Sequence, residues 1–141
     1  MEKLPVKDTF KGPGSWFTGD VYGSPIYSGT DPSRMSATLV RFTPGARTHW
    51  HRHALGQCLH GTDGTGVVVT RDGTVITITA GDTVWTPGGE DHWHGALEGR
   101  MMCHLAMLER DGETDPTTWL EPVDDAEYAR AMSIAAVQLT D

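Results

Sequence analysis

The residues of this chain best suited to chemistry are its histidines, and all seven fall between His49 and His104 of 141 residues. His51 and His53 sit two apart in a stretch that reads as extended, so both project from one face of a strand. Gln57 follows a tight Ala54-Leu55-Gly56 step, and His92 comes far along the chain, behind a Pro-Gly turn. Neutral imidazoles and an amide oxygen are suitable donors for a borderline divalent cation, provided that they converge from different strands. His51, His53, Gln57 and His92 are therefore the candidate metal ligands. Four neutral ligands leave about +2 on a divalent centre, against about +1 if one were a carboxylate, which strengthens Lewis acidity and favours anionic ligands such as an alkoxide, an enolate or cyanide. The same choice removes a carboxylate that could act as general base, so another group must move the proton.

His94 and His104 are the candidates for that role. If His92 points inward at the end of a strand, alternation sends His94 inward too. His104 lies within Met101 to Leu108, where Met102, His104, Ala106 and Leu108 share a face. A buried, unligated imidazole beside a cation holds its proton weakly and is free to act as a base near neutral pH. The competing role for either residue is structural: a core histidine bonded to backbone, or one that only orients a ligand.

The elements that must position these groups are short strands. Gly and Pro are frequent, 17 and 8 residues, and they punctuate the chain. Ser36 to Phe42 alternates and stops at Thr43-Pro44-Gly45. Gly66 to Thr70 is a β-branched run that Arg71-Asp72-Gly73 turns back into Thr74 to Thr79, a hairpin signature. Thr83 to Thr86 follows another turn, and Met101 to Leu108 is a further strand. Asp111 to Pro116 reads as a loop. Only the tail looks helical, with Asp124 as cap and Glu127 three residues later. The period-two rule places His49 with His51 and His53, as a spare polar group at the barrel mouth or a partner to a ligand, while His60 has opposite parity to Gln57 and falls outside. Trp50 and Trp93 alternate with the ligands, so they are expected on the outer sheet face or at a subunit contact rather than against substrate.

Spacing sharpens the picture. Gly45, five residues, His51-Arg52-His53, three residues, Gln57, six residues and Gly64 reproduce the first cupin motif, with Gln at the usual Glu position. Gly81, five residues, Pro87-Gly88-Gly89, two residues and His92 reproduce the second, with Ala96 where Asn usually closes it. A short hairpin, Thr65 to Ala80, separates them. The expected fold is all-β: a single cupin barrel, a jelly roll or double-stranded β-helix, with a short C-terminal helix. The chain divides into an N-terminal arm with edge strands (1–34), the barrel core (35–110) and a C-terminal loop and helix (111–141). Its length suits one domain with a real core. A net charge of −8 argues against nucleic acid, which needs a basic footprint. Cys58 and Cys103 are too few for a disulfide framework. With no apolar signal core and no membrane-length apolar run, a cytoplasmic protein without membrane contact is expected.

The strings Pro44-Gly45-Ala46-Arg47-Thr48, Trp50-His51-Arg52-His53, Leu55-Gly56-Gln57, His92-Trp93-His94-Gly95-Ala96 and His104-Leu105-Ala106 resemble the bacterial cupin hydroxynitrile lyases. Gly12-Pro13, Trp16-Phe17-Thr18-Gly19 and the tail from Trp119 to Tyr128 fit as well. The resemblance implies a homodimer or homotetramer that prefers Mn2+, with Fe2+, Zn2+, Ni2+ and Co2+ as alternatives. It implies reversible cleavage of a cyanohydrin, a small-molecule substrate, to an aldehyde and hydrogen cyanide. Carried over by position, His51, His53, Gln57 and His92 match the metal ligands, His104 a proton-transfer histidine and His94 a histidine of the same pocket. Thr38, Val40 and Leu108 match substrate-pocket positions, of which Thr38 and Leu108 vary among relatives, and His49 replaces a small residue. Two other functions fit the same ligands: an iron-dependent dioxygenase acting on a small aromatic or diketone, and a non-catalytic small-ligand-binding barrel.

Overall fold

The alternating, Gly-punctuated segments fold as antiparallel strands. A computed structural model describes residues 1–141. It contains β1 (Phe10–Lys11), β2 (Phe17–Thr18), β3 (Val21–Ser28), β4 (Met35–Phe42), β5 (Arg47–Thr48), β6 (His51–His53), β7 (Gln57–Thr70), β8 (Val75–Thr79), β9 (Thr83–Thr86), β10 (His92–Ala96), β11 (Met102–Glu109), β12 (Thr117–Trp119) and one helix, α1 (Asp125–Gln138). One face of the barrel runs β1-β3-β4-β11-β7, with β9 on the far side of β7. The opposite face is built from β8, β7, β10, β5, β6, β2 and β12. The fold is a single antiparallel β-barrel with one C-terminal helix, the architecture that the sequence leads one to expect.

Strand β7 joins the two faces. Its first residues, Gln57 to His60, pair with β9 and β11, and of its last, Thr65 to Val69 pair with β8 and Gly66 to Thr70 with β10. The β-branched run in the sequence begins only at Gly66, whereas the strand starts at Gln57 and includes Gly61, Thr62, Asp63 and Gly64. The ladder continues through them with a register shift opposite Cys103 and His104. Such a bulge bends a strand and increases its twist, which is what turning a barrel corner requires. Gly64 is needed there: its φ is +71°, and a Cβ would stand 2.0 Å from the Met101 carbonyl oxygen.

The Asp-Gly hairpin forms as expected between β7 and β8, where the Asp72 carboxylate accepts from the Thr74 amide at 3.0 Å. The helix cap also forms. Asp124 accepts from the Glu127 amide at 2.7 Å, and Glu127 accepts from the Asp124 amide at 3.0 Å. The apolar side of α1, with Tyr128, Ala131 and Ala135, packs on Trp50, Val67, Val69, Val75 and Trp93. The two tryptophans therefore lie on the outer sheet face, and the chain's own helix covers them. Both cysteines are free thiols. No helix is long and apolar enough to cross a membrane.

Candidate metal centre

Two short strands bring the first three histidines together. β6 turns His51 and His53 inward and leaves Arg52 outside, paired with Asp91 at 3.1 Å. β10 lies antiparallel to β6 with His92 opposite His51, so the second motif is delivered directly beside the first. Ring nitrogens of His51, His53 and His92 all lie within 4.8 Å of one another, and all three residues are buried. Gln57, at the start of β7, places Oε1 3.4 Å from His92 Nε2. The four expected ligands thus converge, three imidazoles and one amide, from three strands.

Hydrogen bonding fixes which nitrogen each ring offers. His51 Nδ1 lies 2.9 Å from the His49 carbonyl oxygen, and His92 Nδ1 lies 2.9 Å from that of Glu90. His53 Nδ1 lies 3.3 Å from the Pro116 carbonyl oxygen and 3.1 Å from Thr117 Oγ1. A carbonyl oxygen only accepts, so each Nδ1 carries the hydrogen and each Nε2 carries a lone pair. His53 Nε2 is buried without any protein partner. Burial, reinforced by the mutual repulsion of neighbouring imidazoles, holds His51 well below the usual histidine value and His53 at about 4. Burial also lowers His92. The rings are consequently neutral at physiological pH, with three lone pairs facing one another. These three histidines could hold a metal ion, and a neutral nitrogen donor set suits a borderline divalent one.

Next to this cluster lies a second imidazole pair. His104 Nε2 and His94 Nδ1 are 3.0 Å apart, both residues are buried, and the His94 ring centre is 5.2 Å from that of His51. Burial pushes His104 down to about 4; burial, then repulsion from His104 and His51, holds His94 well below the usual histidine value. A neutral pair of this kind holds two N–H groups and two lone pairs. Their shared hydrogen bond uses one of each, so the outer atoms, His104 Nδ1 and His94 Nε2, keep one donor and one acceptor. Neither outer atom has a protein partner.

Both imidazole groups border a cavity of about 170 Å³. The expected pocket residues Thr38, Val40 and Leu108 line it. His60 does not: it bonds Thr83 Oγ1 at 2.8 Å on the outside. His49 also departs from the period-two rule, because the strand breaks at His49 and Trp50, between β5 and β6. Thr48 lines the cavity in its place, and His49 contributes through its backbone carbonyl. Other contributors escaped the sequence pattern. Phe10, Trp16 and Phe17 from the N-terminal arm and Thr117 and Trp119 from β12 also line the cavity. Trp16 and Trp119 stack at 5.1 Å and 7°, and Trp119 lies 4.7 Å from the His51 ring. β12 is only three residues long and shows no alternation; its one signal is the tryptophan itself.

Comparison with known proteins agrees with this geometry. Residues 38–108 match the cupin domain family. Over 131 residues the chain is 46% identical to an (R)-mandelonitrile lyase from Granulicella tundricola, covering 92% of this chain and 98% of that protein. A crystal structure of a cupin-like protein from Thermotoga maritima superposes with a TM-score of 0.81 at 34% identity, covering 86% of this chain and 91% of the other. The polyketide cyclase RemF from Streptomyces resistomycificus shares the fold, with a TM-score of 0.69 at 19% identity over 93% of this chain and 98% of its own. With both motifs on adjoining strands around one histidine cluster, and similarity over nearly its whole length, the chain belongs to the cupin family.

Proposed function

We propose that this protein is a metal-dependent cupin lyase that cleaves cyanohydrins reversibly to an aldehyde and hydrogen cyanide. The observation that supports it most is the juxtaposition of two imidazole groups of different character. Three present converging Nε2 lone pairs, and two, His94 and His104, stay unligated beside them. His51, His53, His92 and Gln57 would hold a divalent ion, with Mn2+ favoured by the resemblance to hydroxynitrile lyases, and it would supply Lewis acidity at the substrate oxygen. The relative from Granulicella tundricola carries the name (R)-mandelonitrile lyase, which points to the same chemistry.

The chain's own residues account for the proton and the shape of the substrate. Burial keeps the His94–His104 pair neutral, so it offers one lone pair to the substrate hydroxyl. As the O–H proton moves to the pair, the O–H electrons form the carbonyl and the C–C electrons leave with cyanide. The pair then returns the proton to cyanide, which leaves as hydrogen cyanide. Every step is reversible, so addition of cyanide to an aldehyde uses the same groups in reverse. None of the residues lining the cavity is Asp, Glu, Lys or Arg, so the pocket suits an uncharged substrate. The Trp16–Trp119 wall and Phe17 offer flat apolar surface to an aryl substituent.

The test is benzaldehyde release from mandelonitrile by the manganese-loaded protein. Replacing His104 by Ala should slow it by about 10² to 10⁴, the usual worth of a general base. Release no faster than in that variant would sink the proposal. Dioxygen uptake by the iron-loaded protein on catechols or diketones would favour a dioxygenase instead.

A further inference from the structure

The three histidines are not held alike. His51 and His92 each donate from Nδ1 to the carbonyl two residues earlier in the chain, just before their own strand begins, at His49 and Glu90. Backbone supplies both contacts, so no side-chain substitution removes them. His53 has no such local acceptor. Its Nδ1 reaches across to β12, to Thr117 Oγ1 at 3.1 Å and the Pro116 carbonyl at 3.3 Å. That carbonyl is already shared, since it accepts from the Ala54 amide at 3.3 Å. The hydroxyl is therefore the shorter contact and the only one made by a side chain.

Strand register explains the arrangement. β12 pairs antiparallel with β6 and sets Thr117 opposite His53 and Trp119 opposite His51. The pairing continues through Leu120 N to Trp50 O at 2.8 Å and Trp50 N to Glu121 O at 2.9 Å. These residues lie beyond the segment that matches the cupin domain, which ends at 108. A stretch that looks like a connector between barrel and helix thus reaches a metal-binding histidine from behind.

We propose that Thr117 is a positioning residue of the metal centre. Its hydroxyl holds His53 in the tautomer and orientation that aim Nε2 at His51 and His92. Valine is nearly isosteric with threonine but cannot accept this hydrogen bond, and it would leave His53 with only the divided Pro116 carbonyl. The ring would then sample orientations that turn Nε2 away, and binding a cation would have to re-order it. Loss of a partner that orients a ligand typically weakens a metal site by about 10- to 100-fold. The surviving carbonyl places Thr117→Val near the low end, about tenfold. The inference rests on the reading that His51, His53 and His92 hold a cation.

The experiment is calorimetric titration of metal-free wild type, Thr117→Val and Thr117→Ser with Mn2+. The visible spectrum of each protein loaded with Co2+ reports ligand geometry independently of activity. The expected result is one ion per chain in wild type, about tenfold weaker binding with an altered cobalt spectrum in Thr117→Val, and rescue in Thr117→Ser. Metal-free thermal midpoints of the three proteins should agree. If Thr117→Val does not fold, Thr117→Ala replaces it, with the same expectation. Binding by the hydroxyl-free variant as tight as wild type overturns the role of Thr117, and so does a folded Thr117→Ser that fails to rescue. Failure of wild type to bind any ion would instead remove the metal-centre reading beneath it.

Discussion

Lowering the pH should destabilise the metal-free protein through its buried histidines. His53 and His104 stand at about 4 when folded, against an ordinary imidazole value of 6.5. Because the folded value is depressed, the unfolded chain takes up protons that the folded one refuses. The stability these groups contribute is fully present above about pH 6.5 and is lost as the pH falls toward 4. Within that window each imidazole contributes a slope of about 1.4 kcal/mol per pH unit, so the two together give about 2.7. Over two pH units that is about 5 kcal/mol, comparable to the whole stability of many domains. His51, His92 and His94 shift in the same direction and steepen the loss. Asp111, held at about 2 by its bonds to Thr114, titrates only below this window. The assay is urea unfolding followed by tryptophan fluorescence at pH 7, 6 and 5, after chelation of metal. Replacing His104 by Gln, which never takes a proton in this range, should flatten the slope by about 1.4 kcal/mol per pH unit. A stability that is constant from pH 7 to 5, or that rises on acidification, would refute the account of neutral, buried imidazoles.

Two further substitutions probe the site and its support. Changing Gln57 to Glu adds a negative charge where an amide stands; Mn2+ should bind on the order of tenfold tighter, since charge count tunes affinity, while benzaldehyde release slows as the centre falls from about +2 to about +1. Calorimetry and the mandelonitrile assay read the two halves separately. Changing Asp124 to Ala removes the side-chain half of the capping box, the bond accepted from the Glu127 amide, and should lower stability by about 1 kcal/mol, measured by denaturant midpoint, with metal affinity unchanged.

The barrel and the cluster were legible because they depend on local rules. Asp72-Gly73 marks a hairpin, Asp124 and Glu127 mark a helix start, and His51 and His53 share a face because strands alternate. His92 could be placed with them because the second motif carries it. Three features were not legible, each for a physical reason. β7 begins well before its β-branched run, since pairing with β11 carries the ladder through a bulge at Gly61 to Gly64 that no residue-by-residue pattern reveals. His49 follows alternation only if the strand is continuous, and it is not. Thr117 and Trp119 belong to a three-residue strand held by pairing with β6 and by packing on the N-terminal arm, contacts distant in sequence, with 64 positions between His53 and Thr117. The outer-face tryptophans mixed the two cases: their parity was readable, but their covering by α1 depended on tertiary packing.

The central claim is that His51, His53 and His92, with Gln57, form a cage for one divalent cation. Titration of the chelated protein with Mn2+, following the free ion by electron paramagnetic resonance, tests it most directly. One ion should disappear from solution per chain of wild type, and none at the same concentration with His92→Ala. Equal uptake by wild type and His92→Ala, or no uptake by either, would contradict it.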